Sequence, residues 1–374
     1  MPRKIMLFTL ETFKSTGGIQ NMTRTLAHCL DAIRSEDGGQ FQLWSLYDNH
    51  ESLKPNYVTG NNFRAFNGNK PKFFKELFSH VKWPDLVIIS HINLAIAGLL
   101  VKLINPKCNV WLVAHGIEVW QHLSPFKKAF LKRCDKIVCV SSFTKNEILR
   151  LHKVPNNKCV VLNNALDPFW VLPQNFEKPA YLQQRYQLNE ESLLLFTLAR
   201  IHHAEQYKGY DKVIESLAEL KKEFPGLKYI LAGMSDPAEQ ERIERLIAKA
   251  GLTDNIILAG FIDEKELTDH FLLADVFVMP STGEGFGLVL IEAAACGTQV
   301  ICGNSDGSVD AILNGELGES ININDPAALD KSITNKLNSP INSEQKRALQ
   351  TACLQHFSVE KYKEKLHQLI CNER

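Results

Sequence analysis

Twice along this chain, short apolar runs rich in β-branched residues alternate with amphipathic segments, and a stretch punctuated by prolines divides the two series. In the first series Lys4 to Leu10, Phe41 to Leu46, Leu86 to Ser90, Val110 to Ala114 and Lys136 to Val140 read as strands. Helical periodicity lies between them at Gln20 to Ile33, Leu94 to Leu103 and Ser142 to Leu151. Strands that are apolar throughout need cover on both faces, and alternating helices supply it, so the expectation is an α/β chain built on parallel, doubly wound sheets. The second series runs through Leu193 to Ala199, Lys228 to Ala232, Asn255 to Leu258, Val276 to Pro280 and Thr298 to Cys302, with helices such as Tyr210 to Lys222 and Pro237 to Ala250. Asn163 to Asn189, with Pro168, Pro173 and Pro179, reads as the connection. A length of 374 residues exceeds the usual size of one domain, and 45% apolar content is enough for two cores. The expected domains are residues 1–170 and 171–356, followed by a closing segment over 357–374.

The chain is formally neutral, but residues 1–170 hold 22 Lys and Arg against 12 Asp and Glu, a net +10 that the remainder cancels with 20 against 30. Nine cysteines are scattered without a Cys-x-x-Cys pair, and the apolar Ile5 to Leu10 is too short for a signal peptide, so the sequence reads as cytoplasmic with reduced thiols. No apolar run approaches the ~20 residues of a membrane span. No Asp-x-Asp and no clustered His/Cys set is visible, so neither a metal site nor a cofactor is expected.

Chemistry concentrates in Pro280-Ser-Thr-Gly-Glu-Gly-Phe-Gly-Leu-Val-Leu-Ile-Glu292. Pro280 ends a strand, Gly283, Gly285 and Gly287 let the backbone approach a ligand, and Leu288 to Ala295 has helix-forming composition. Unpaired amides at that helix start can face an anion. Glu284 in the loop and Glu292 two turns into the helix can both reach one crevice, where carboxylates suit sugar or ribose hydroxyls. For either glutamate alone, a solvated surface residue is the commoner outcome.

Together, Pro-Ser-x-x-Glu-Gly-Phe-Gly-x4-Glu-Ala-x-Ala-Cys-Gly resembles the signature of the retaining nucleotide-sugar glycosyltransferases of family 4. That resemblance implies two Rossmann-like domains facing across a cleft, the GT-B fold, with the first binding the acceptor and the second the donor. It also implies that the tail from Phe357 through Leu369 forms a last helix crossing back to the first domain.

Further residues fall at strand ends, where ligands of open α/β sheets sit. Arg200 follows Leu193 to Ala199, and Lys208-Gly209 precedes the next helix after a loop with His202 and His203. They resemble the family's pair of cations on the donor diphosphate, although Ala199 stands where a glycine is usual and the loop is long. Gly17-Gly18 precedes the first helix and resembles the family's phosphate-facing glycine loop; no third glycine makes it a dinucleotide fingerprint. His115, opening His-Gly-Ile-Glu118, resembles the active-site His that contacts the transferred sugar, with Glu118 orienting the acceptor side. Phe261 follows Gly260 where the family binds its base. The resemblance thus assigns catalysis to His115, Arg200, Lys208 and Glu284. Donor binding falls to Gly17, Gly18, Arg200, Lys208, Phe261, Glu284, Gly285, Phe286, Gly287, Leu288 and Glu292.

Expected partners are a nucleotide-sugar donor carrying UDP or GDP and a glycan or lipid-linked acceptor, with no nucleic acid. Lys70 to Phe78, with Lys82-Trp83, and Pro125 to Arg133 interleave basic and aromatic residues. They suit an anionic membrane surface at the inner face of the membrane, or equally an amphipathic helix packed on its sheet. A sugar-nucleotide epimerase or phosphorylase on the same fold, and a non-catalytic sugar-nucleotide-binding protein, are the competing readings.

Overall fold

The computed structural model describes residues 3–189 and 191–372, and the chain divides into two compact units. One runs to Phe169 and takes in the chain again from Phe357; the other is Trp170–His356.

The first unit carries seven parallel strands: β1 (Lys4–Thr9), β2 (Gln40–Ser45), β3 (Phe63–Ala65), β4 (Leu86–Ile89), β5 (Asn109–Ala114), β6 (Lys136–Cys139) and β7 (Cys159–Val161). Their order is β3-β2-β1-β4-β5-β6-β7, and β1 pairs with both β2 and β4, Phe8 lying beside Trp44 and Ile89. The second unit carries six: β8 (Leu194–Leu198), β9 (Lys228–Ala232), β10 (Ile256–Gly260), β11 (Val276–Met279), β12 (Gln299–Gly303) and β13 (Glu319–Ile321), in the order β10-β9-β8-β11-β12-β13. Chain order reverses between β1 and β4 and again between β8 and β11. Loops leaving such a pair diverge to opposite faces and open a crevice at the carboxyl ends, the usual ligand position in these sheets.

Each sheet is buried as its composition requires. Phe8, Trp44, Phe73 and Phe130 fill one core, while Leu195, Tyr210, Tyr229 and Ile333 fill the other. The strands read from sequence recur within about two residues of their observed ends. Three were missed, β3, β7 and β13: each has only three residues, too few to show a period.

Residues 163–189 are more than a connection. From Trp170 onward this segment packs within the second unit: Trp170 meets Phe271, Thr268 donates to the Val171 carbonyl, and Lys178 pairs with Asp275 at 2.8 Å. It also contains the helix Ala180–Arg185, whose Arg185 pairs with Glu266 at 2.7 Å. The prolines hid these long-range partners, which lie about 90 residues away in sequence.

The closing helix Val359–Cys371 buries Tyr362, Leu366 and Ile370 and packs on the helix Gly18–Asp37. Lys363 pairs with Glu36 at 2.7 Å and His367 with Asp37 at 2.9 Å.

Candidate active site

In the second unit, the loop 280–287 leaves β11 and the helix Leu288–Ala295 begins at Gly287, whose φ of 88° is left-handed. This loop is tied down from two directions. The Glu284 amide donates to Asp306 Oδ2 at 2.7 Å, Ser281 Oγ donates to the same oxygen, and Gly307 N returns a bond to the Glu284 carbonyl at 2.8 Å. A Cβ at Gly307 would lie 2.1 Å from the Gly285 carbonyl oxygen, so only glycine lets these loops meet. Asp306 is buried, and burial raises its carboxyl above the usual range against the pull of hydrogen bonds from Ser281 and the Glu284 and Ser308 amides.

From the other side comes the loop after β8. Arg200 follows the strand, and His203–Lys208 winds as a kinked 3-10 turn. Gly209 adopts a φ of 81°, and a Cβ there would lie 2.2 Å from the Pro280 carbonyl oxygen. This contact, with Thr282 N donating to the Tyr207 carbonyl at 2.9 Å, brings Lys208 onto Glu284, where Nζ donates to Oε1. Both side chains are mostly buried, at 16% and 13% exposure. Burial is the largest influence on the Lys208 ammonium and pulls it down, but the charges of Glu284, Tyr207 and Glu205 and the hydrogen bond to Glu284 together outweigh it, and the net direction is up. Arg200 stays 68% exposed and pairs with Glu205 at 2.9 Å.

The two glutamates differ in setting. Glu292 is buried at 6% exposure, as are Phe286 and Gly287, while Gly285 and Leu288 are partly exposed. Phe261 stands out from the end of β10 at 58% exposure.

Residues distant in sequence hold the cation loop. The Asp236 carboxylate caps the helix Pro237–Lys249, accepting from the Ala238 and Glu239 amides, and also accepts from His203 N at 2.8 Å. Gln206 reaches Glu239, which accepts from Tyr210 Oη at 2.6 Å and pairs with Arg242. His202, His203 and Asp236 place ligating atoms within 4.8 Å of one another, a grouping invisible from a search for metal spacing because Asp236 lies 33 residues on. Hydrogen bonds already account for it, since His202 Nδ1 accepts from Ala204 N and Asp236 serves as cap and anchor.

In the first unit, Gly17 N-caps the helix Gly18–Asp37. The loop before it is held by Asp48, a fully buried residue that accepts from the Thr12, Phe13 and Lys14 amides and from Ser45 Oγ. Buried Arg24 donates to the Thr12 and Ser15 carbonyls. Neither residue carries a sequence signal, because each acts on backbone rather than within a motif.

His115 follows β5. Its Nε2 lies 2.9 Å from the Ser90 carbonyl, which can only accept, so Nε2 carries the proton and Nδ1 is left as an acceptor. Glu118 accepts from the His115 amide at 2.6 Å, so it shapes the turn that presents the imidazole. Burial drives both His115 and His91 down to about 4 from the ordinary 6.5. The unfolded chain would bind protons that the fold refuses, so the stability they contribute is complete above about pH 6.5 and drains as pH falls toward 4. The limit is on the order of 3 kcal/mol per histidine. Burial raises the Glu118 carboxyl, which titrates in the opposite sense. Unfolding midpoints measured from pH 7 to 4.5 should therefore fall, and should fall less steeply for His91→Gln combined with His115→Gln; parallel curves would refute this account.

Comparison with known proteins bears on the family and the fold. The profile described as Glycosyltransferase Family 4 matches residues 16–169, and that described as Glycosyl transferases group 1 matches residues 182–352. A relative described as a GDP-mannose-dependent α-(1-6)-phosphatidylinositol monomannoside mannosyltransferase, from Mycolicibacterium smegmatis, is 27% identical over 237 residues. The match takes in 60% of each chain, so the chain spans less than two thirds of that relative's length. Among solved structures, a glycosyltransferase from Rickettsia africae superposes with a TM-score of 0.79 at 19% identity, covering 100% of both chains. Anabaena HepE in complex with UDP and glucose superposes with a TM-score of 0.77 at 17% identity, covering 99% of this chain and 100% of that one. These likenesses establish a two-domain α/β fold of the GT-B type. With one profile matched on each unit and the Glu284 motif seated where the strand order of the second sheet reverses, the chain belongs to family 4, the group 1 glycosyl transferases.

Proposed function

We propose that this protein is a retaining glycosyltransferase that moves a hexose from a UDP- or GDP-sugar to a glycan or lipid-linked acceptor in the synthesis of cell-surface polysaccharide or glycolipid. The observation that carries this reading is the joining of Lys208 to Glu284 at the reversal of the second sheet, with Arg200 on the adjoining strand end. Cations for a diphosphate and a carboxylate for hydroxyls then stand side by side. The Glu284 motif with Arg200 and Lys208 fits a transferase better than an epimerase, a phosphorylase or a binding protein.

In this mechanism Arg200 and Lys208 hold the diphosphate, with amides at the start of the helix Leu288–Ala295 and at Gly17-Gly18 adding neutral donors. Phe261 lies against the base, Glu292 takes the ribose and Glu284 the sugar hydroxyls. Negative charge gathers on the departing diphosphate as the glycosidic bond breaks, and the two cations offset it without a metal ion. A nucleoside diphosphate leaves readily, so neither glutamate is needed as a nucleophile. The leaving phosphate takes the proton of the acceptor hydroxyl, and neutral His115 accepts a hydroxyl hydrogen bond at Nδ1 to orient the sugar.

A panel of UDP- and GDP-sugars tests this reading. One family of donors should raise the unfolding midpoint by several degrees at 100 times its dissociation constant. That donor should also release nucleoside diphosphate in the presence of a chelator once an acceptor is supplied. Absence of stabilisation by every nucleoside diphosphate would sink the proposal.

We also propose peripheral binding at the cytoplasmic face of the membrane. The helix Pro125–Arg133 anchors itself with buried Phe130 and Leu131, yet leaves Phe126 65% exposed beside exposed Lys128, Lys132 and Arg133. The helix Lys70–His80 likewise exposes Phe78 with Lys72 and Lys75. Among the described residues no helix is long and apolar enough to cross a membrane. Sedimentation with vesicles containing 30 mol% anionic lipid should be strong in low salt and fade by about 0.5 M, where the Debye length falls below ~5 Å. Equal recovery with neutral vesicles would contradict it.

A further inference from the structure

A pocket of about 400 Å³ opens at the carboxyl edge of the first sheet, where its strand order reverses. Leu10 after β1, Leu46 after β2, Phe73 and Phe74 from the helix Lys70–His80, and Ile96 and Ala97 from the helix Ala95–Ile104 after β4 line it. Leu46, Phe73 and Ala97 also belong to the buried core, so the pocket is a notch into the hydrophobic interior rather than a groove over polar surface. Ile96 is left 51% exposed beside it. Seven of the ten lining residues are apolar, with Tyr47, Lys70 and Asn93 the polar exceptions, so the recess suits an apolar chain better than a ring of hydroxyls.

Its polar lining is Tyr47, Lys70 and Asn93, and Lys127 donates to Asn93 Oδ1 at 2.5 Å. Two lysines beside an apolar recess match a ligand with an anionic group joined to an apolar chain. The same loop connects this pocket to His115, because Ser90, whose carbonyl holds the imidazole, lies three residues before Asn93. An acceptor whose chain filled the recess would have its polar end directed along this loop.

We infer that this pocket binds the apolar part of an amphiphilic acceptor that carries a phosphate beside its apolar chain. The inference rests on the transferase reading above and narrows its acceptor to that class.

The test is titration of the full chain with n-alkyl phosphates from butyl to dodecyl, each kept below its micellar concentration, alongside inorganic phosphate and the matching n-alcohols. Calorimetry should show affinity rising about fourfold per methylene and then levelling once the recess is filled. Inorganic phosphate should show none of this, and the alcohols should keep the chain-length dependence with lower affinity. Ile96→Glu, at a half-exposed position, should weaken the longest alkyl phosphate at least tenfold, and Lys70→Ala should erase most of the advantage of phosphate over alcohol. Both variants should retain stabilisation by the nucleoside diphosphate. Affinity independent of chain length, affinity that climbs without a plateau, or binding unaltered in Ile96→Glu would each overturn the inference. Loss of nucleoside diphosphate stabilisation by the wild-type chain would instead strike the transferase reading, so the two failures are distinguishable.

Discussion

Arg200→Ala should lower donor turnover by two to three orders of magnitude while leaving the unfolding midpoint nearly unchanged. The two effects separate because of where the guanidinium lies. At 68% exposure its pair with Glu205 is a surface contact, worth roughly 0–1 kcal/mol to the fold. On the proposed mechanism the same group faces charge developing on the diphosphate in the transition state, and loss of one such donor typically costs ~3–4 kcal/mol of barrier. The measurement is single-turnover release of nucleoside diphosphate paired with thermal unfolding. Turnover within about fivefold of wild type would remove Arg200 from the mechanism. Arg200→Lys should restore only part of the rate, since an ammonium cannot make the two-pronged contact of a guanidinium.

Asp306→Asn should do the reverse, destabilising the second unit first and donor binding as a result. Oδ2 of Asp306 accepts from both Ser281 Oγ and the Glu284 amide. If the substituted amide nitrogen takes that place, donors face donors; if it flips, the Ser308 amide loses its acceptor at Oδ1 instead. Either way a buried donor is stranded, at a cost of about 1–3 kcal/mol, and the Glu284 loop is released from the 306–308 turn. Nucleoside diphosphate stabilisation should shrink along with the unfolding midpoint. An unaltered midpoint with full donor affinity would show that Asp306 does not position the loop.

The fold was legible because buried parallel strands cannot hide their composition. Val276 to Met279 and Tyr229 to Ala232 are continuous apolar runs, and the observed strands keep both within a residue of the expected ends. What escaped was short or was held by distant partners. Strand β13 has three residues, and the proline-rich segment after Trp170 is fixed by Asp275, Asp269 and Glu266. The candidate site divides in the same way. Glu284, Lys208 and Arg200 announce themselves through glycines and strand ends, whereas Asp306, Asp236, Asp48 and Arg24 position backbone from tens of residues away and belong to no local pattern. The sequence also could not show that Lys208 and Glu284 are partners, since 76 residues separate them.

The reversals of strand order after β1 and after β8 bear on how such a chain can diversify. On the proposed reading, the loops that choose an acceptor follow β1, β2 and β4, while those that grip the donor follow β8 and β11. The loop after β1 also carries Gly17-Gly18 toward the diphosphate, so the two sets separate cleanly only after β2 and β4. Substitutions around Tyr47 and Ile96 could therefore redirect what is glycosylated while the nucleotide grip stayed as it was. Inheritance would then act on acceptor choice and donor use as separate traits, which a graft of the loops after β2 and β4 between relatives would expose.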